Sequence, residues 1–415
     1  MRSKIVPTRL KNLSNMYSVG LASLKSIVQR FTGSSAYTMS PARVERSVRL
    51  WRKELPTVTP FYAVKCNPER QFLELLSNSG VFFDCASKRE LKEVHSITGA
   101  SEIIYANPCK SAADIVAATT VGSPLTVVDS AEEVDKLSGY ASGALLRIAV
   151  DDSQSDMPFS YKFGAPRGAI AKIAQYAASR QFPLHGISFH VGSGSRSATS
   201  FSTAILEAIA FMSVLKAAGH APSILDMGGG FLPDLADFEK KAFHIRHVIQ
   251  AAPYTIYAEP GRFFASDAFD LYVQVIGKKP AYSAQSVQTG WKYTIDESIY
   301  GQFTNILFDK AAPKWVRVVS SPNESPRRFM PGIIFGRTCD SLDQIADAAT
   351  MEELFVGDWL WFPNMGAYTR ATASEFNGFP APPIHALEDG DNFPALIFPS
   401  SPFLAKGVKY GPAKN

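Results

Sequence analysis

From about residue 41 the chain alternates between two rhythms. Short apolar runs bounded by turn residues give way to longer segments in which apolar positions recur every three or four residues. The strand pattern fits PFYAV (60–64), VFF (81–83), EIIYA (102–106), LTVVD (125–129), ALLRIAV (144–150), LHGISFH (184–190), SILDM (223–227) and YTIYA (254–258). The helical period fits 69–78, 88–97, 167–178 and 203–219. An amphipathic stretch at 42–55 precedes the first strand, with Pro41 suited to a first helical turn. Parallel strands need long crossovers, so eight strands with helices between them predict a (β/α)8 TIM barrel over residues 36–268. A doubly wound open sheet is the competing topology, and only the placement of polar residues separates the two.

After about residue 268 the texture changes to short β-like runs, LYVQVIGKK, WVRVV, GDWLWFP and PALIFP, punctuated by Gly, Pro and Asn. This predicts a mainly β C-terminal domain over 269–415, of sandwich or barrel-like form. SAYTM lies outside the barrel rhythm and is expected to give that domain an N-terminal strand around residues 36–40. Residues 1–35 are left as a basic extension, disordered or targeting. Residues 1–44 carry seven Lys or Arg and no acid, which fits either an organelle transit peptide or a basic surface arm.

Composition narrows the function classes. Hydrophobic residues at 46% and charged residues at 19% fit a globular protein with a sizeable core. No run of 18 or more apolar residues predicts a membrane span. A net charge of +4, spread along the chain, gives no case for nucleic acid. Cys66, Cys85, Cys109 and Cys339 show no CxxC spacing, so neither a zinc site nor a disulfide framework is expected, and a reducing, cytoplasmic setting is favoured. No metal site is predicted.

The unusual polar residues fall where a barrel keeps its chemistry, at the C-terminal ends of the strands. Lys65 follows strand one, Asp84 strand two and His190 strand six. Gly228, Gly229 and Gly230 follow strand seven; Glu259 and Arg262 follow strand eight. Side-chain-free backbone can approach a phosphate, and Arg262 adds a charged donor. A phosphate site, a lysine and a carboxylate on one rim suggest pyridoxal phosphate, which needs a lysine for its aldehyde, a phosphate cup and a partner for its ring nitrogen. Glu259 is the candidate partner. His190 is either a ring-stacking residue or a satisfied core histidine. Cys66, Cys85 and Cys109 are expected to be buried small apolar residues.

Ten ordered stretches, PFYAVKCN, FDCASKRE, YANPCK, LRIAVDD, KFGAP, FHVGSGS, DMGGGF, AEPGRF, TCDSLD and NMGAYT, then carry a resemblance. The chain is similar, over about residues 37–380, to the barrel-type (fold type III) pyridoxal-phosphate decarboxylases of ornithine, diaminopimelate and arginine, and most of all to the eukaryotic-type ornithine decarboxylases. The resemblance implies Lys65 as the Schiff-base lysine, His190 as the stacking residue and Glu259 as the partner of the pyridine nitrogen. It implies Ser193, Gly228, Gly229, Gly230, Arg262 and Tyr368 around the phosphate, with Asp84, Glu90 and Arg147 near the cofactor. Asp309 is implied to bind the distal amine of the substrate. Cys339 and Asp340 are implied to reach a neighbouring subunit's site, so that the active form is a homodimer. A distal ammonium calls for carboxylates, which Asp309 and Asp340 supply; the diaminopimelate enzymes carry Glu after the Cys of this segment. Two departures, Arg337 where the family has Pro and Phe308 where it has Tyr, leave lysine and arginine open beside ornithine. Arg337 either disturbs diamine recognition or points to solvent. Retention of Lys65, His190, Glu259, Arg262 and Tyr368 weighs against a non-catalytic homologue that binds a regulatory partner.

Overall fold

The computed structural model describes residues 25–31, 33–318 and 326–388. Its chain divides into a unit of residues 41–267 and a second unit made of what precedes residue 41 and follows residue 267.

The first unit is a closed barrel of eight parallel strands paired in sequence order. They are Val58–Ala63, Phe82–Cys85, Ile103–Tyr105, Leu125–Val128, Ala144–Arg147, Leu184–Ser188, Ile224–Asp226 and Thr255–Ala258. Closure is made by Val58, Thr59 and Pro60 pairing with Ile256, Tyr257 and Ala258. Closure also rules out the open sheet. Phe61, Ile104, Val127 and Leu145 form a buried cluster in the barrel, joined by Phe82, Leu125, Ile224 and Tyr257.

The helix at Pro41–Glu54 begins on its proline and buries Val44, Val48 and Trp51. Helices that the periodicity did not single out also lie in this unit, among them Ala112–Thr120, Ala131–Lys136 and Leu235–Ile249. Helix Ser200–Ala217 averages a hydropathy of 1.4 over 18 residues, long and apolar enough by composition to cross a membrane. In the barrel its buried residues, Phe201, Ala204, Ile205, Ala208, Met212 and Leu215, recur at three- and four-residue steps, which makes one inward stripe.

The second unit is a mixed sheet. Strand Phe269–Tyr282 runs through it, flanked by Gln288–Ile295 on one side and Trp359–Phe362 on the other. Phe329–Phe335 and Gln344–Glu352 extend the first side and Val316–Arg317 the second. The N-terminal strand Ala36–Met39 pairs antiparallel with Phe269–Tyr272 and parallel with Ile384–Ala386. Ile27 and Phe31, inside the stretch expected to be an extension, are buried with Tyr272, Val318, Trp361 and Leu387. PALIFP at 394–399 and the residues before 25 lie outside the described residues.

Candidate active site

In the barrel unit the first strand ends in one 3-10 turn, Val64–Cys66, which turns Lys65 out of the core and leaves its side chain 42% exposed. Its Nζ lies 2.5 Å from Oδ2 of Asp84, a fully buried carboxylate inside the second strand rather than after it. Glu90, in the first turn of the next helix, accepts the Ala86 N–H at 2.6 Å, and burial pushes its carboxyl up. Arg147 closes the fifth strand with its guanidinium 5.0 Å from the Phe163 ring centre.

His190 lies two residues past the sixth strand. Its Nδ1 accepts the Gly192 N–H at 2.9 Å, which leaves the proton on Nε2. Burial, then the charges of Arg147 and Lys65, push the imidazole well below its usual range, so the ring is neutral. A neutral ring can lie against a cationic aromatic partner without repelling it.

The glycine turn after strand seven is packed against backbone on every side. A Cβ on Gly228 would lie 2.3 Å from the Phe189 carbonyl oxygen, and one on Gly230 2.6 Å from that of Gly192. One on Gly229 would lie 2.6 Å from the Glu259 carbonyl oxygen and 3.0 Å from His190 Nε2. The glycines thus serve close approach of three loops as well as any phosphate. Arg262 Nη2 donates to Ser193 Oγ at 3.2 Å, so the loops after strands six and eight meet. Phe231, next to Gly230, and Phe263 and Phe264, next to Arg262, all pack on Trp51 with ring centres 5.0–5.8 Å away. The loops are therefore anchored by apolar plugs.

One buried acid was not foreseen. Asp226, the last residue of strand seven, accepts the Gly228 N–H at Oδ1, 2.9 Å. Burial raises its carboxyl to about 6, and burial together with the Asp226 charge holds Glu259 well above the carboxylate range. Asp226 Oδ2, Glu259 Oε1 and Asp84 Oδ1 are buried and receive no hydrogen bond from a described donor. Such oxygens need a donor or a cation. A pyridinium N–H at Glu259 meets that need; Lys65 offers an amine to an aldehyde, and Ser193 and Arg262 offer donors to a phosphate, so the residues fit pyridoxal phosphate.

The remaining predicted residues belong to the β unit. Asp309 follows helix Thr304–Phe308 and donates its N–H to the Asn305 carbonyl at 3.0 Å, with Phe308 exposed beside it. Tyr368 has a left-handed backbone, φ 54°. Cys339 is exposed, its N–H donated to Asn377 Oδ1 at 3.1 Å. Asp340 accepts the Leu342 N–H at 2.9 Å and the Tyr300 hydroxyl, and these bonds hold its carboxyl below the usual range. The segment is built on Asp343, 1% exposed, which accepts from Ile299 N–H, Thr338 N–H and Thr338 Oγ1. Arg337 neither reaches Asp340 nor points to solvent: it donates to the Asp296 carbonyl at 3.0 Å and stacks 3.8 Å from the Phe379 ring centre.

The cysteines need one correction. Cys66 and Cys85 are buried, but Cys109 is exposed. Asn107 Oδ1 accepts the Cys109 N–H at 3.1 Å, and that tight turn carries Cys109 to the outside, while Lys110 takes the buried position.

Residues 41–266 match the family described as pyridoxal-dependent decarboxylase, pyridoxal binding domain. Antizyme inhibitor 2 of Xenopus laevis is 38% identical over 80% of this chain and 76% of its own, and ornithine decarboxylase of Mus musculus 37% identical over 81% and 76%. The crystal structure of the Paramecium bursaria Chlorella virus arginine decarboxylase superposes with a TM-score of 0.82 at 34% identity, covering 88% of this chain and all of the other. With these likenesses on the barrel and its lysine-bearing rim, the chain belongs to the pyridoxal-dependent decarboxylases.

Proposed function

We propose that the chain decarboxylates a basic L-amino acid, L-ornithine before lysine or arginine, to give putrescine and carbon dioxide for polyamine biosynthesis. The observation that carries this reading is the rim itself: an exposed lysine salt-bridged to a buried aspartate, with a neutral histidine and a buried glutamate that burial holds above the carboxylate range. Pyridoxal phosphate, when bound, supplies the electron sink into which the bond to the α-carboxylate can break. Lys65 would hold the aldehyde through its amine. Glu259 would accept the ring N–H, and the buried position of that carboxylate strengthens the charge pair. His190 would cover one ring face, and Arg262, Ser193 and the glycine amides would hold the phosphate.

For Tyr368, Asp309, Cys339 and Asp340 the assignment rests on the family motifs. Asp340 is an ionised carboxylate held in place by two donors, which suits it to a distal ammonium. With Arg337 tied elsewhere, no added cation of that segment opposes a diamine. We further propose a homodimer in which Cys339 and Asp340 serve the site of a second copy, and a cytoplasmic setting, supported by four cysteines that show no CxxC spacing or disulfide framework in the sequence.

The likeness to an antizyme inhibitor supports a second reading, a homologue that works by binding a protein. One experiment separates the two. The purified chain is given ornithine, lysine, arginine and diaminopimelate in turn, and carbon dioxide and amine are measured. Ornithine is expected to be turned over fastest, with Lys65→Ala removing turnover and the near-visible cofactor band together. Cofactor-free protein with no turnover of any of the four would leave the protein-binding reading standing.

A further inference from the structure

A second lysine in the barrel is buried where a charge has no ordinary reason to be. Lys241, on the outer helix Leu235–Ile249, is 0% exposed. Its ammonium donates to the Ser195 carbonyl at 2.5 Å and to Asp237 Oδ2 one helical turn away at 2.7 Å. Ser195 is itself 1% exposed and shares a hydrogen bond with Ser200, 2.8 Å between hydroxyls. Two residues before it stands Ser193, which takes the Arg262 guanidinium and pairs with Met157 through both backbone hydrogen bonds. The loop from His190 to Ser195 is thus held from inside by the glycine turn, where a Cβ on Gly230 would meet the Gly192 carbonyl, and from outside by Lys241.

We propose that Lys241 is a positioning residue for the cofactor phosphate: it touches no ligand, but fixes the Ser195 carbonyl and so the height of the Ser193 hydroxyl, which meets Arg262. A buried ammonium that bonds a backbone oxygen of another loop as well as its own counter-ion is an expensive device for a mere helix contact, because an apolar side chain would pack the helix without desolvating a charge. A directed, charge-assisted bond does what an apolar contact cannot, which is to set the loop's register. This inference rests on the reading that the loop holds the phosphate.

The test uses the full-length apoprotein titrated with pyridoxal phosphate, read by the near-visible band, and the phosphorus NMR shift of the bound cofactor. Lys241→Met is expected to weaken cofactor binding about tenfold, equal to about 1.4 kcal/mol, and to move the phosphorus shift. Arg246→Met is the control, since Arg246 lies on the same helix but binds Glu54 at 2.9 Å, away from the loop. It should lower thermal stability while leaving affinity and shift unchanged. Should Lys241→Met fold poorly, Asp237→Asn keeps the lysine but removes its counter-ion, and a weaker, few-fold loss of affinity is expected. Unchanged affinity and shift in the folded lysine variant or in Asp237→Asn, or an equal loss in Arg246→Met, overturns the role of Lys241. Arg262→Met distinguishes the two levels: if it binds cofactor as tightly as the wild type, the phosphate reading itself fails; if it alone weakens binding, only the Lys241 inference does.

Discussion

At the scale of single residues the barrel site is a problem of placing negative charge. Asp84, Asp226 and Glu259 are all buried, and the Lys65 ammonium lies 2.5 Å from Asp84. Burial and mutual repulsion drive Glu259 toward its protonated form. A carboxyl raised in the folded state stabilises the fold below its unfolded value, and that contribution is lost as pH climbs toward the folded value. Glu259→Gln should therefore raise the melting temperature of the apoprotein at neutral pH while turnover falls by about a hundredfold or more, because the ring nitrogen loses its charged partner. Calorimetry of the apoprotein and kcat measured on one preparation check both halves. Turnover close to wild type would remove Glu259 from the ring nitrogen. The rim acids were legible because each stands in a recognisable stretch beside a strand end. Asp226 was not, because a terminal Asp in a three-residue strand looks like any strand edge until burial and the Glu259 contact are known. Lys241 was hidden likewise: on an EKKAF helix stretch, a lysine gives no sign of facing inward.

At the scale of elements, loops six, seven and eight of the barrel behave as one object. The backbone of Gly229 takes no left-handed torsion, so alanine is conformationally allowed there, and only space is lacking, with the Glu259 carbonyl 2.6 Å and His190 Nε2 3.0 Å from an added Cβ. Gly229→Ala should cost about 1–3 kcal/mol by overpacking and separate His190 from Glu259, weakening cofactor binding as well. Gly168→Ala, whose added methyl meets nothing within 4 Å, should do neither. Thermal melts and cofactor titration of the pair decide it, and equal behaviour of the two variants would show that the turn yields freely. The barrel strands were legible because a parallel strand buried on both faces is an uninterrupted apolar run. The helices not singled out had weaker signals: AADIVAATT is small and apolar all round, and AEEVDK is six residues long. In the β unit, Gly290 within Gln288–Ile295 and Pro331 with Gly332 within Phe329–Phe335 interrupt the alternation that marks a strand.

At the scale of the whole molecule, both units hold acids that burial raises, but their surroundings differ. In the barrel Asp226 and Glu259 line the lysine-bearing rim; in the β unit Glu297 caps backbone amides. Glu297, 6% exposed, accepts the N–H groups of Ser298 at 2.7 Å and Gln302 at 3.2 Å. Burial nevertheless outweighs these bonds and, with Asp296 adjacent, raises its carboxyl to about 7. The folded unit therefore holds a proton that the unfolded chain releases near 4.5. Stability from this group is complete in acid and is lost as pH rises from there to about 7, by about 3 kcal/mol at 1.36 kcal/mol per unit. Glu297→Gln keeps an acceptor for both amides and removes the proton equilibrium. Four of the five tryptophans, Trp291, Trp315, Trp359 and Trp361, lie in the β unit, so tryptophan fluorescence follows its unfolding apart from the barrel's. The wild-type transition temperature, relative to that of Glu297→Gln, should fall between about pH 5 and 7 and then run parallel to it. A difference between the two proteins that stays constant across that range would mean that Glu297 is ionised in the fold, with the two backbone donors outweighing burial.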